Sequence, residues 1–265
     1  MARFLQLSDL HAVPPGTKAS GVLDTNALLH KGIDRLLARR DALGPLDAVL
    51  VTGDISDDGS AKSYAIARAE LDRFGLPLLV LPGNHDRRDS LRAAFSDTLG
   101  MPKHGLIDWT VEIGDTMVVG LDTLIDGQGG GELRPESLAH LTRSIEGIGD
   151  RHLLIALHHP PMTTGIRFMD RIALKNPNDL AQALAAAPVH TQIIAGHVHG
   201  IHVAQIAGHA VMTAPAMCSA FEFDVSPGAT VGFHLSPRGC AVVTTGQDQL
   251  WSAISLEHAD GPFSF

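Results

Sequence analysis

The chain has 265 residues, 45% of them hydrophobic and 18% charged, enough for one substantial core and a lobe but hardly for two full domains. Its formal charge of −9, from 20 basic and 29 acidic residues, counts against long polyanionic partners such as duplex nucleic acid, which a basic surface normally holds by releasing counterions. No uncharged apolar run approaches the roughly 20 residues of a membrane-spanning helix, and the opening residues run to Asp9 with no room for an export signal, so a soluble cytoplasmic protein is expected.

In chain order, short apolar runs end in polar blocks. Arg3 to Ser8 reads as a strand leading into Asp9-Leu10-His11, and Thr25 to Arg40 as a helix with Asp24 as its N-cap. Asp47 to Thr52 leads into Gly53-Asp54, followed by a helix over Ser60 to Phe74. Leu78 to Leu81 leads into Pro82-Gly83-Asn84-His85-Asp86, followed by a helix over Ser90 to Leu99. Met117 to Leu121 and Leu153 to Leu157 flank a helix over Pro135 to Ile145, and the second of them ends at His158-His159-Pro160-Pro161. After a helix over Asn178 to Ala187, Gln192 to Ala195 ends at Gly196-His197-Val198-His199. Strands alternating with helices predict a layered α/β fold, in which ligands bind where loops converge at the carboxyl ends of the strands.

Beyond residue 200 the pattern turns β-rich. Ile201 to Ile206 and His209 to Thr213 predict a hairpin about Ala207-Gly208, and Thr230 to Leu235 and Cys240 to Thr245 predict further strands. Patterning leaves open whether this part is a second sheet packed on the first, a lid, or a flap that makes an oligomer contact. Cys218 and Cys240 match no zinc or redox spacing, so buried or free thiols in a reducing compartment are expected.

The polar blocks carry the chemistry. Asp9, His11, Asp54, Asn84, His158, His197 and His199 supply four imidazoles, two carboxylates and one amide oxygen. This mixed nitrogen and oxygen set suits two divalent transition ions that share a carboxylate and a bridging water, a pairing that hydrolyses phosphate esters. Each block alone is weak: Asp-x-His occurs often by chance, and an isolated histidine is more often packed than ligating. Gly-Asn-His-Asp is sharper, because an amide oxygen is an unusual ligand beside a titratable imidazole. Their joint occurrence in order, each at a strand end, is what makes them a site.

At these residues the chain resembles the calcineurin-like metallophosphoesterase superfamily, whose pattern is Asp-x-His, Gly-Asp, Gly-Asn-His-Asp/Glu, His and Gly-His-x-His, over residues 3 to about 200. The blocks at Gly53, Gly83 and His158, with Gly21 to Asn26 and Met169-Asp170, are similar to the bacterial class III cyclic-nucleotide phosphodiesterases and the related glycerophosphodiesterases. The resemblance implies two facing mixed β-sheets flanked by α-helices, with residues 1–200 as the core carrying all metal ligands. Residues 201–265 would then complete the second sheet. It also implies one ion on Asp9, His11, Asp54 and His199, the other on Asp54, Asn84, His158 and His197, and a homodimer or higher homo-oligomer.

Two divalent ions carry about +4; two ionised aspartates and a hydroxide leave roughly +1, a balance suited to a phosphodiester monoanion. Asp54 is then the bridge, and His85 the group that stabilises developing charge or protonates the leaving alkoxide. Asp86 is expected either to orient His85 or to cap the following helix, as Asp89 could. His159 either supports the ligands or packs beside Pro160. Arg87 and Arg88 are expected at a surface helix entrance and are left out of the site. The expected activity is hydrolysis of small phosphodiesters such as cyclic nucleotides or glycerophosphodiesters. A phosphomonoesterase or phosphonate monoester hydrolase is the nearest alternative. A non-catalytic scaffold is disfavoured, since all seven ligands and His85 are present. Manganese, iron, zinc and cobalt all fit such ligands.

Overall fold

A computed structural model describes residues 1–258. The strands β1 (Arg3–Leu7), β2 (Ala48–Val51) and β3 (Leu78–Val80) run parallel, joined by α1 (Thr25–Ala38), α2 (Arg40–Leu43) and α3 (Ala61–Asp72). α4 (Arg88–Ala94) then leads to β4 (Trp109–Ile113) and β5 (Thr116–Leu121), an antiparallel pair. β6 (His152–Leu157) follows α5 (Pro135–Glu146), and β7 (Thr191–Ala195) follows α6 (Arg167–Asp170) and α7 (Pro177–Ala183). The hairpin of β8 (Val203–Ile206) and β9 (His209–Thr213) comes next, then the two-residue strands β10 (Ala220–Phe221) and β11 (Phe233–His234), and finally β12 (Gly239–Thr244) and β13 (Leu250–Ser255).

One sheet has the order β13-β12-β1-β2-β3 and the other β4-β5-β6-β7-β9-β8. The β-rich part beyond residue 200 does not complete the second sheet alone. β8 and β9 extend that sheet, whereas β12 pairs antiparallel with β1 and brings β13 into the first.

Alternation along each strand builds the layers. On the second sheet Val118, Leu154, Ala156, Ile194 and Met212 face the first sheet and join its core. Their neighbours Val119, Leu153, Ile155, Ile193 and Val211 face the other way, against Leu141 and Ile145 of α5 and Leu180 of α7. The first sheet packs on Leu29, Ile33 and Leu36 of α1 and on Tyr64, Ala67 and Leu71 of α3, whose spacing of three and four places them on one helical face. Asp24 caps α1, its carboxylate accepting from Ala27 N at 3.1 Å, as the sequence predicts. Two buried side chains tie sheet to sheet: Gln6 Nε2 donates to the Ala195 carbonyl at 3.0 Å, and Trp109 Nε1 to the Val80 carbonyl at 2.9 Å.

Among the described residues no helix is long and apolar enough to cross a membrane. Cys218 and Cys240 are both free and buried.

Candidate metal centre

The parallel strands β1, β2 and β3 of one sheet and β6 and β7 of the other all end at one edge of the sandwich, and the polar blocks follow them there. The loops after β1 and β2 run side by side: Asp9 N donates to Gly53 O at 3.1 Å, His11 N to Asp54 O at 2.9 Å and Ala12 N to Ile55 O at 3.0 Å. The loops after β6 and β7 are joined by Gly196 N to His158 O at 3.1 Å. Turning each side chain inward bends the backbone into an unfavourable region. Of seven described non-glycine residues with positive φ, five are Asp9 (55°), His11 (46°), Asp54 (48°), His197 (71°) and His199 (49°). Strain of this kind costs of order 1–3 kcal/mol per residue and clusters where function needs it. Two glycines give the space: a Cβ on Gly83 would strike the Asp54 carboxylate, and one on Gly196 would strike Ser8 and Asp9.

The seven residues expected from sequence converge. Asp54 Oδ2 lies 3.5 Å from His11 Nε2 and 3.4 Å from His158 Nε2, between the two halves of the cluster. Asn84 Oδ1 is 3.1 Å from His158 Nε2, and Asp9 Oδ1 is 3.5 Å from His199 Nε2. Each ring is fixed from behind. His158 Nδ1 donates to the Thr52 carbonyl at 2.8 Å, His197 Nε2 to the Ile172 carbonyl at 3.0 Å, and His11 Nδ1 to Asp57 Oδ1 at 2.9 Å. His199 Nδ1 meets Ser219 Oγ at 3.2 Å. The opposite ring nitrogens face carboxylate and amide oxygens, where a ring that gives up its proton would offer a lone pair to a cation. His11 Nε2 is buried with no hydrogen-bond partner. Such a set fits cations held by borderline nitrogen and hard oxygen ligands.

The electrostatics agree. Burial works against the Asp54 and Asp9 charges, yet the surrounding imidazoles hold both carboxyls below the usual range, Asp54 well below it. Burial likewise opposes charge on His158, but Asp54 draws it up to about 9. The carboxylates thus pull positive charge into the space between them.

Around the cluster the structure settles what the sequence left open. Asp86 neither orients His85 nor caps α4, whose N-cap residue Arg87 makes no side-chain cap bond. Its buried carboxylate instead accepts from Gly83 N (2.8 Å), Ser56 N (3.0 Å), Ile55 N (3.2 Å) and Tyr64 Oη (2.9 Å), locking the Asp54 and Asn84 loops together. His85 is aimed by other groups: its N–H donates to Asp54 Oδ1 at 2.8 Å and its Nδ1 to the Asp57 carbonyl at 3.0 Å, so Nε2 is the free ring nitrogen. His159 supports the ligands. Burial and the charge of His158 push it down to about 3, so it is neutral. It receives from Thr123 Oγ1 at 2.8 Å and donates to Gly129 O at 3.0 Å, while its ring sits 4.3 Å from that of His197. Arg88 lies outside the cluster, forked onto Asp122 at 2.7 and 2.8 Å. Asp57 is the residue that sequence reasoning missed. Its signal was faint: a second carboxylate in Gly-Asp-Ile-Ser-Asp, three residues after Asp54.

Above the cluster opens a pocket of about 140 Å³. His11, Asp54, Asn84, His85, His197 and His199 form its floor, and Phe221 and Phe233 stand among its walls.

A two-sheet sandwich with nitrogen and oxygen donors gathered at its parallel-strand ends defines a metal-dependent phosphoesterase, with a site for divalent metal ions. Residues 2–200 match the family model of the calcineurin-like phosphoesterases, and the chain belongs to that family. It is 33% identical to the 3′,5′-cyclic adenosine monophosphate phosphodiesterase CpdA of Pseudomonas aeruginosa, over 86% of this chain and 79% of that protein. It is 28% identical to a probable glycerophosphodiester phosphodiesterase, GpdQ, of Arcobacter nitrofigilis, over 88% of this chain and 85% of that one. A dimetal phosphatase from Danio rerio shares the fold with a TM-score of 0.67 at 15% identity, covering 97% of this chain and 96% of that chain.

Proposed function

We propose that the protein is a dinuclear-metal phosphodiesterase acting on small diesters such as cyclic nucleotides or glycerophosphodiesters. Asp9, His11, Asp54 and His199 hold one ion, and Asp54, Asn84, His158 and His197 the other. The observation that carries this reading is Asp54 Oδ2, which stands 3.5 Å from His11 Nε2 and 3.4 Å from His158 Nε2, one imidazole from each set. The similarity to cyclic-nucleotide and glycerophosphodiester phosphodiesterases supports the substrate class. When bound, two divalent ions supply positive charge for the phosphate oxygens and acidify the attacking water.

The chain's own groups do the rest. Asp57 anchors His11, Thr52 anchors His158 and Ile172 anchors His197, so the ring nitrogens that would take a metal face inward before substrate arrives. His85 is partly exposed, its Nδ1 is anchored and its pKa is raised, because Asp54 and Asp57 outweigh the effect of burial. Its Nε2 therefore carries a proton toward the leaving ester oxygen, and the alkoxide departs as an alcohol. No Lys or Arg lines the pocket among the described residues. Beyond His85 a monoester dianion would find no further cationic side chain there, which favours the monoanionic diester.

The test is hydrolysis by chelated protein restored with manganese, iron, zinc or cobalt. The panel is 3′,5′-cyclic AMP, 2′,3′-cyclic AMP, glycerophosphocholine, bis(p-nitrophenyl) phosphate and p-nitrophenyl phosphate. Metal-dependent cleavage favouring diesters is expected; cleavage of the monoester alone would replace the reading with a phosphomonoesterase.

A further inference from the structure

β10 and β11 form a two-rung antiparallel ribbon that belongs to neither large sheet, with Phe221 directly across from Phe233. Both residues line the pocket. Phe221 stacks on His199 with ring centroids 4.3 Å apart and planes inclined at 27°, and Phe168 meets it edge-on at 4.9 Å. Phe233 packs against the small cluster of Val13, Ala19 and Leu23, on the loop that carries the chain from His11 to α1. The ribbon is thereby fastened to the metal cluster through one ring and to a neighbouring loop through the other.

The pocket thus has two chemistries. Its floor is polar, while its walls carry two aromatic rings with Leu23, Ala19, Met169 and Ile172. A flat uncharged group gains dispersion and area burial against such a wall, whereas a hydroxylated or cationic group must shed water there for few polar partners, the Ser20 and Ser219 hydroxyls among them. The lining carboxylates are already engaged: Asp54 by His85 N, and Asp57 by His11.

We propose that the Phe221–Phe233 pair determines specificity, selecting phosphodiesters in which one ester group is or carries a flat uncharged ring, such as an aryl group or the base of a nucleoside. The proposal rests on the diesterase reading above.

Three phosphonate monoesters test it as competing ligands whose carbon-bound group stays on phosphorus: methyl phenylphosphonate, methyl methylphosphonate and a trimethylammonioethyl methylphosphonate, with any loss of the remaining P–O ester followed by phosphorus NMR and the constants taken from initial rates. Inhibition constants are measured on metal-restored protein with bis(p-nitrophenyl) phosphate as reporter, and metal content is assayed alongside because Phe221 touches His199. The phenyl ligand is expected to bind about tenfold tighter than the methyl one, the scale of one ring stacked on an aromatic side chain. Phe233→Ala should erase most of that preference at full metal content. Phe223→Ala, exposed on the same segment, should preserve it. Equal inhibition constants for the phenyl and methyl ligands, or a preference that survives Phe233→Ala, would overturn the assignment. Tightest binding of the trimethylammonium ligand would overturn it too, making the wall an ammonium cage. Failure of the metal-restored wild type to turn over the reporter would instead remove the diesterase reading itself.

Discussion

Asp57 accepts from His11 Nδ1 through its carboxylate at 2.9 Å and from His85 Nδ1 through its backbone carbonyl at 3.0 Å, so a single residue aims both a candidate metal ligand and the proposed acid. A carboxylate behind a ligating imidazole fixes its tautomer and raises its basicity, and its loss typically weakens metal binding about 10–100-fold. Asp57→Asn should show a weakening of that size in calorimetric metal titration; an unchanged affinity would mean that His11 is not a ligand. His85→Ala separates a different role. Its metal content should stay at the wild-type value while turnover falls by about 10²–10⁴-fold, the range of general acid catalysis. The loss should be larger for alkyl esters than for p-nitrophenyl esters, whose leaving group needs little help from a proton. A uniform loss across leaving groups would assign His85 to charge stabilisation alone.

The loops that form the site depend on elements behind them. Tyr64 of α3 is buried, and its hydroxyl bridges Asp86 at 2.9 Å and Arg87 N at 2.8 Å, so one helix pins the loop after β3. Tyr64→Phe leaves both partners short of a bond inside the protein. It should lower unfolding free energy by about 1–3 kcal/mol in urea denaturation; an unchanged midpoint would show that the loop holds without it. The strand ends that carry ligands were legible because a buried parallel strand is a short apolar run, and the polar block after it marks its end. β4 and β13 were not, because they are sheet edges with partly exposed faces and little apolar signal. The ribbon was legible only as a longer apolar stretch over Thr230 to Leu235, of which Phe233–His234 alone finds a partner. Asp86 and His159 could be named but not given their roles, and Asp57 escaped notice, since each acts across loops that meet only in three dimensions.

The two sheets share one core, and buried acids within it couple stability to alkaline pH. Burial pushes the Cys240 thiol up to about 12 from its ordinary 9.0, and burial together with Asp86 also raises the Tyr64 hydroxyl from 10.0. Above pH 9 the unfolded chain therefore releases protons that the folded chain keeps. Stability contributed below that pH is lost as the pH climbs toward the folded values. The unfolding free energy should fall by about 1.4 kcal/mol per pH unit for each such group, from pH 9 for Cys240 and from pH 10 for Tyr64. Cys240→Val should flatten the first part of that fall; an identical profile would mean that the thiol ionises as freely in the fold as outside it. In the proposed diester hydrolase Asp54 would be shared by two ions. The most direct measurement titrates chelated protein with manganese or another divalent ion, following turnover of bis(p-nitrophenyl) phosphate against metal bound per chain. Activity should reach its plateau at two equivalents. A plateau at one equivalent, or turnover independent of metal, would contradict it.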